Sequence, residues 1–279
     1  MSRRAGIIGH PVAHSLSPVF QRAAFEHCGL DATYEAWDTE PAALKGRVVS
    51  LRGLDYLGAN VTIPHKESVI PLVDELGGQS ARVGAVNTIV NRGGRLFGFN
   101  TDGPGFVAAL RNESTFDPAG KSVLLLGAGG AARGIGFALA EARAGRIAIW
   151  NRTAARAERL AADIADSGGN ALPMPKPEAQ GYDCVVNCTS VGMEGTGTEA
   201  QSLFDFSGAS SGALAVDIVY KPENTAFLAA ATAAGLRQLG GLPMLIYQGA
   251  LAFELWTGLT APVDVMFEAA RKKLPGLAG

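Results

Sequence analysis

A glycine-rich turn in mid-chain, with the residues that flank it, is equipped to hold a phosphate-bearing ligand. An apolar run, Val123-Leu124-Leu125-Leu126, enters Gly127-Ala128-Gly129-Gly130-Ala131-Ala132-Arg133, and an alanine-rich stretch of helical character leaves it. That is the layout of a strand–turn–helix that binds a dinucleotide. Gly127 permits the tight turn, Gly129 lets backbone N–H groups approach a pyrophosphate at the positive end of the helix, and Ala132 stands at the third position. A second strand-like run, Arg146-Ile147-Ala148-Ile149-Trp150, ends where a carboxylate would bind the 2′-hydroxyl of NAD. The chain reads Asn151-Arg152-Thr153 instead, with Arg156 one turn on. Two guanidinium groups and no carboxylate suit a 2′-phosphate, and so NADP. Glycine-rich turns are common, and the competing reading is an ordinary α/β turn with two solvated arginines.

A second group of candidates lies in the first hundred or so residues, in polar segments at the ends of strand-like runs. His14-Ser15-Leu16-Ser17-Pro18 puts two hydroxyls before a proline that can start a helix, and by itself Ser17 reads as an N-cap. Asn60-Val61-Thr62-Ile63-Pro64-His65-Lys66 ends a strand with an amide, a hydroxyl and an amine. Gly84-Ala85-Val86-Asn87-Thr88 and Gly98-Phe99-Asn100-Thr101-Asp102-Gly103 repeat the idea. Each, taken alone, is also consistent with turn chemistry.

The elements that must position these groups alternate between strand and helix. Strands are expected over 5–9, 33–37 and 56–62, and helices over 18–27 and 40–51; residues 85–91 and 95–99 read as a hairpin across Gly93-Gly94. A connecting helix over 103–112 leads to the glycine turn. Beyond it come an amphipathic helix over 157–167, a proline-rich loop over 173–177 and parallel strands over 182–187 and 213–219. Residues 195–211 form a surface loop rich in Gly, Ser and Thr. Helices follow over 225–234, 244–257 and 263–274, the last ending in Arg271-Lys272-Lys273, where cations suit the helix dipole.

At 279 residues, 47% hydrophobic and 18% charged, the chain is globular and long enough for two domains. A net charge of −2 gives no broad electrostatic case for nucleic acid or a membrane surface. The cysteines, Cys28, Cys184 and Cys188, are odd in number and without a framework, which suggests reduced thiols in a cytoplasmic protein; the latter two read as packing residues. The N-terminus shows no signal-length apolar segment, and no stretch is long enough to span a bilayer. His10 and His14 are four apart, but Pro11 argues against a metal-ligand pair on one helical face, and no metal is expected. His65 reads as structural, or as a support behind the site residues.

Taken together the segments resemble the shikimate dehydrogenase family, NADP-dependent oxidoreductases. The resemblance runs through Ser-x-Ser-Pro, Asn-Val-Thr-x-Pro-x-Lys, Gly-Ala-Val-Asn-Thr, Asn-Thr-Asp-Gly, the glycine turn, Asn-Arg-Thr, Asn187 to Gly192 (Asn-x-Thr-Ser-x-Gly), Asp217 to Tyr220 (Asp-x-Val-Tyr) and Met244 to Gln248 (Met-Leu-x-x-Gln). It implies two α/β domains with a cleft between them: a substrate domain over 1–103 and 242–279, and a Rossmann-like NADP domain over 104–241. It implies hydride transfer between the nicotinamide and ring C3, interconverting 3-dehydroshikimate and shikimate on the pathway to chorismate and the aromatic amino acids. Lys66 and Asp102 match the family's proton-transferring pair. A lysine ammonium can stabilise and protonate the oxygen that gains charge as a ketone is reduced. Ser15 and Ser17, with Tyr220, would hold the substrate carboxylate; Thr62, Asn87 and Gln248 would bind hydroxyls alongside Lys66 and Asp102; and Asn60 would brace the site. On the cofactor side the resemblance adds Thr189, Ser190, Met193, Ile218, Gly241 and Met244 to Gly127, Ala128, Gly129, Gly130, Ala131, Asn151, Arg152, Thr153 and Arg156. One departure is Gly77-Gly78, where members often carry a charged residue.

A relative preferring quinate or an amino analogue of shikimate, and a non-catalytic metabolite- or NADP-binding relative, are the alternatives. The two serines and two arginines speak against the NAD-dependent quinate branch; the presence of both Lys66 and Asp102 speaks against a silent binding module. Small molecules are the expected partners, with the chain a monomer or homodimer.

Overall fold

The computed structural model describes residues 2–274; Met1 and residues 275–279, the tail of the stretch assigned to the substrate domain, lie outside the described residues. The chain divides into two compact units, Met1–Thr101 with Ile246–Gly279, and Asp102–Leu245.

The first unit begins with β1 (Arg3–Gly9), α1 (Ser17–His27), β2 (Ala32–Asp38), α2 (Leu44–Ser50) and β3 (Gly58–Val61). It continues with β4 (Glu75–Leu76), α3 (Ser80–Val83), β5 (Thr88–Arg92) and β6 (Arg95–Phe99). Its sheet runs β2-β1-β3-β5-β6-β4. Strands β1, β2 and β3 are parallel, and β5 and β6 form the hairpin expected across Gly93-Gly94. The ladder pairs Ile7 with Asn60, Asn60 with Thr88, and Thr88 with Phe99. The segments after β1, after β3, before β5 and after β6 therefore all leave the sheet at one end. A core of Ile8, Val48, Leu51, Ala59, Ile89 and Leu96 lies beneath.

The second unit holds α4 (Asp102–Ser114), β7 (Ser122–Leu126), α5 (Gly130–Glu141), β8 (Arg146–Trp150), α6 (Ala154–Asp166), β9 (Ala171–Pro173), β10 (Cys184–Asn187), β11 (Leu214–Asp217), α7 (Ala226–Ala233) and β12 (Arg237–Leu239). Its sheet, β12-β11-β10-β7-β8-β9, is parallel throughout. Parallel strands covered on both faces need uninterrupted apolar runs, and Val123 to Leu126 and Cys184 to Val186 supply them, each 1% exposed or less. From β7 the chain builds outward to β8 and β9, then returns to place β10, β11 and β12 on the other side. The order reverses between β7 and β10, and open α/β sheets bind ligands in the crevice at such a point.

Helix α8 (Leu242–Thr257) starts at the end of the second unit and continues into the first, and α9 (Val263–Arg271) closes the described chain against α1. In the first unit, Phe253 meets Phe25 at 5.5 Å between ring centroids, and Trp256 Nε1 donates to the Ile89 carbonyl at 2.9 Å.

Several expectations change in detail. Helix α9 ends at Arg271, and residues 40–51 open with a 3-10 turn, Pro41–Ala43, before α2. Pro173, expected to start a loop, ends the edge strand β9, where a missing N–H is tolerated. The loop over 195–211 is no simple surface excursion. Phe204 and Phe206 come back from it into the core of the second unit, stacked edge-on at 4.9 Å with Phe227 beyond.

Candidate functional site

In the first unit the polar segments converge through hydrogen bonds. Asn87 is 2% exposed. Its Oδ1 accepts from the Thr101 N–H at 2.7 Å and from the Thr88 hydroxyl at 3.1 Å; its Nδ2 donates to Thr101 Oγ1 at 2.9 Å and to Gln248 Oε1 at 3.3 Å. One amide thus ties β5, which follows it, the segment after β6 and helix α8 together. The Lys66 carbonyl accepts from Val86 N–H at 2.8 Å, and Thr62 N–H donates to Ile8 at 2.8 Å, so the lysine-bearing turn is stitched to both neighbouring segments. Lys66 and Thr62 are half-buried. His65 turns inward, 1% exposed, with Nε2 2.6 Å from the Thr39 carbonyl, as a structural histidine would.

The serine segment differs from its expectation. The N-cap of α1 is Leu16, and Ser17 lies inside the helix, so Ser17 is not the cap. Ser15 Oγ accepts from the Ser17 N–H at 3.2 Å instead. Ser17 is 2% exposed, its side chain beside the phenol of Tyr34, which donates to Asn60 Oδ1 at 2.7 Å; Asn60 Nδ2 donates to Thr88 Oγ1 at 3.1 Å. Burial raises the Tyr34 pKa well above that of a free tyrosine, so the phenol stays protonated and a donor. Tyr34 was not singled out in the sequence. A tyrosine on the buried side of a strand needs a partner for its hydroxyl, which is the signal that would have drawn attention to it.

In the second unit, Asp102 is the first residue of α4 and 5% exposed, with its carboxylate at the positive end of that helix. The glycine turn follows β7 at the point where strand order reverses. Gly127 has φ +117°, and a Cβ there would sit 3.0 Å from Thr189 Cγ2, so the fold itself requires this glycine. Gly129 and Gly130 are different. A Cβ on either meets no protein atom within 4 Å, and φ at Gly129 is an ordinary −86°. The open space at the N-terminus of α5, beside a ready-made set of N–H groups, fits a pyrophosphate. Asn151 braces the turn: its Oδ1 accepts from Ala128 N–H at 3.2 Å and its Nδ2 donates to the Thr153 carbonyl at 2.9 Å.

Arg152 and Arg156 are exposed, and neither guanidinium has a hydrogen bond or ion pair among the described residues. Arg133 does not join them; it pairs with Asp163 at 2.7 Å. Opposite the turn, Thr189 is half-buried, and Ser190 and Met193 are exposed. Ile218, Tyr220 and Met244 are half-buried, and Gly241 is buried, its N–H donating to Val219 at 3.2 Å. Burial raises the Tyr220 pKa. Cys184 and Cys188 are buried free thiols whose pKa values burial pushes up, leaving them inert packing residues. Among the described residues no cluster could hold a metal ion, and no helix is long and apolar enough to cross a membrane.

Family profiles match three stretches: a shikimate dehydrogenase substrate binding domain over residues 7–89, shikimate / quinate 5-dehydrogenase over 110–220, and a shikimate 5′-dehydrogenase C-terminal domain over 241–271. A shikimate dehydrogenase (NADP(+)) from Moorella thermoacetica is 45% identical over 98% of this chain and 94% of its own. One from Thermus thermophilus is 46% identical over 97% of this chain and 98% of its own. The crystal structure of a Thermus thermophilus shikimate 5-dehydrogenase in complex with NADP(H) and shikimate superposes with a TM-score of 0.87 at 44% identity, covering 97% of this chain and 99% of that one.

Proposed function

The chain belongs to the shikimate dehydrogenase family, and from that premise we infer that it is an NADP-dependent oxidoreductase interconverting 3-dehydroshikimate and shikimate in the shikimate pathway. The observation that carries the cofactor choice is the pair of unpartnered, exposed guanidinium groups, Arg152 and Arg156, beside a glycine turn with open space at Gly129 and Gly130. A 2′-phosphate gives those arginines a partner; a 2′-hydroxyl does not.

NADPH supplies the hydride. The backbone N–H groups at the start of α5 hold the pyrophosphate, and Thr189, Ser190, Met193, Ile218, Gly241 and Met244 border the nicotinamide end. The substrate is a small ring bearing a carboxylate and hydroxyls. Ser15, Ser17 and Tyr220 take the carboxylate; Thr62, Asn87 and Gln248 take hydroxyls. As the ring carbonyl is reduced, charge builds on its oxygen. The Lys66 ammonium stabilises that charge and delivers the proton, and Asp102 accepts a hydrogen bond from the neighbouring hydroxyl and orients the amine. Sites that pair substrate hydroxyls discriminate strongly against analogues lacking them. The free thiols fit a cytoplasmic setting.

Absorbance of the reduced nicotinamide, with shikimate or quinate paired with NADP or NAD, tests the reading. Rapid reduction is expected only with shikimate and NADP. Arg152→Ala and Arg156→Ala should each raise KM for NADP about tenfold and leave that for NAD unchanged. Preference for quinate or for NAD would overturn the substrate or the cofactor assignment respectively.

A further inference from the structure

Asp217 has no place in the chemistry above, yet it is fully buried at the C-terminal end of β11. Among the described residues no cation pairs with it. Burying a lone carboxylate is unfavourable unless donors surround it. Three do. Oδ1 accepts from Asn187 Nδ2 at 2.9 Å and from Val219 N–H at 3.0 Å, and Oδ2 accepts from the Thr225 hydroxyl at 2.6 Å. Burial still pushes the carboxyl pKa up, with these bonds opposing it.

The donors belong to different segments. Asn187, itself fully buried, spends its remaining groups on the loop after β10. Its Oδ1 accepts from the Thr189 N–H at 3.0 Å and hydroxyl at 2.7 Å, and its Nδ2 also reaches the Val191 carbonyl at 3.2 Å. Val219 lies between Ile218 and Tyr220, and its carbonyl accepts from Gly241. Thr225 caps α7, accepting from Leu228 N–H at 3.2 Å. One carboxylate therefore joins the loop after β10, the loop after β11 and the start of α7.

We propose that Asp217 is a positioning residue for the reaction: it sets the segment of Thr189 to Met193 and the segment of Ile218 to Tyr220 in one fixed relation, and so places the nicotinamide end of the cofactor. The inference rests on the proposal that these two segments border the nicotinamide. Its signature is selective. The adenine end is held at the glycine turn and the arginines, so loss of Asp217 loosens one end of the cofactor and not the other.

The test uses the full-length enzyme and two ligands, NADPH and adenosine 2′,5′-bisphosphate, which carries only the adenine end. For Asp217→Ala, calorimetry should show NADPH affinity falling about tenfold or more, with kcat reduced, because small misplacement of a reacting group is costly to rate. Affinity for adenosine 2′,5′-bisphosphate should stay within about twofold. Asp217→Asn keeps the shape, with the bond to Thr225 reversed, and should restore most of the loss. If Asp217→Ala does not fold, Thr225→Val, which removes one of the three bonds, is read the same way. Equal weakening of both nucleotides, or a lowered Tm with NADPH affinity and kcat intact, overturns the proposal alone. The premise is tested by Met193→Ala: no change in NADPH affinity relative to adenosine 2′,5′-bisphosphate would remove the loop from the nicotinamide and the proposal with it.

Discussion

In the first unit, side chains assigned to substrate are already held: Asn87 and Gln248 bond one another directly. Asn87 engages Thr88, Thr101 and Gln248, and Tyr34, Asn60 and Thr88 form a continuous chain of hydrogen bonds. At the glycine turn of the second unit almost nothing is engaged: two glycines face open space, and two arginines are exposed without partners. A small polyol is recognised by the direction of each hydrogen bond, which requires side chains fixed in advance. A dinucleotide pyrophosphate is recognised by backbone N–H groups and by room, which requires side chains to be missing. Substitutions in the first unit should therefore disturb fold and binding together, whereas those at the turn should separate the two.

The largest effect tests whether Lys66 stands apart from the network around it. Lys66→Met should lower kcat by about 10²–10⁴, the usual share of a general acid, while shikimate affinity measured by calorimetry changes far less. A parallel loss of both would make the lysine a binding group only.

The comparison itself is sharpest between Asn87→Ala and Gly129→Ala. Truncating Asn87 leaves the Thr101 N–H without its acceptor and should cost about 1–3 kcal/mol of stability in urea unfolding, along with shikimate affinity. Gly129→Ala should leave unfolding unchanged and raise KM for NADP about tenfold. Gly127→Ala is the control, since strain at φ +117° should cost about 1–3 kcal/mol. Destabilisation by Gly129→Ala comparable to that by Gly127→Ala would erase the distinction.

The smallest effect concerns a pair outside both clusters. The Arg52 guanidinium grips Asp74 at 2.6 and 2.9 Å, and with the Leu96 N–H it holds the Asp74 carboxyl down at about 2. A depressed carboxyl stabilises the fold above its unfolded pKa, near ~3.9, and loses that contribution as pH falls toward about 2. The Tm difference between wild type and Asp74→Asn should be constant above about pH 5 and close through that window. A difference independent of pH would remove the ion pair as its cause.

Motifs built on local chemistry were legible in the sequence: the apolar run into Gly127, the hairpin at Gly93-Gly94, and the helix after Thr225. Elements that exist only through pairing were not. Strands β4, β9 and β12 span two or three residues each, too few to show a period, and their neighbours in space define them. Strand order was equally hidden, and with it the fact that the glycine turn faces the loop of Thr189 across the reversal of the sheet. Ser17 misled because a hydroxyl before a proline looks like a cap; the helix begins one residue earlier and Ser17 is buried within it. Asp217 was visible only as part of a motif, since no spacing rule says that three donors will converge on it.

The division of the chain also sets an order of assembly during synthesis. The second unit is continuous, Asp102–Leu245, and has all its strands once residue 245 has left the ribosome. The first unit is begun earlier and finished later. Until helix α8 emerges, the Ile89 carbonyl lacks Trp256, Phe25 lacks Phe253, and Asn87 lacks Gln248. The unit made first therefore spends most of translation with part of its apolar core uncovered, and its polar cluster is completed by almost the last helix to appear. Newborn chains arrested just as residue 245 leaves the ribosome should be held by chaperones through their N-terminal part, with the middle of the chain already protease-resistant.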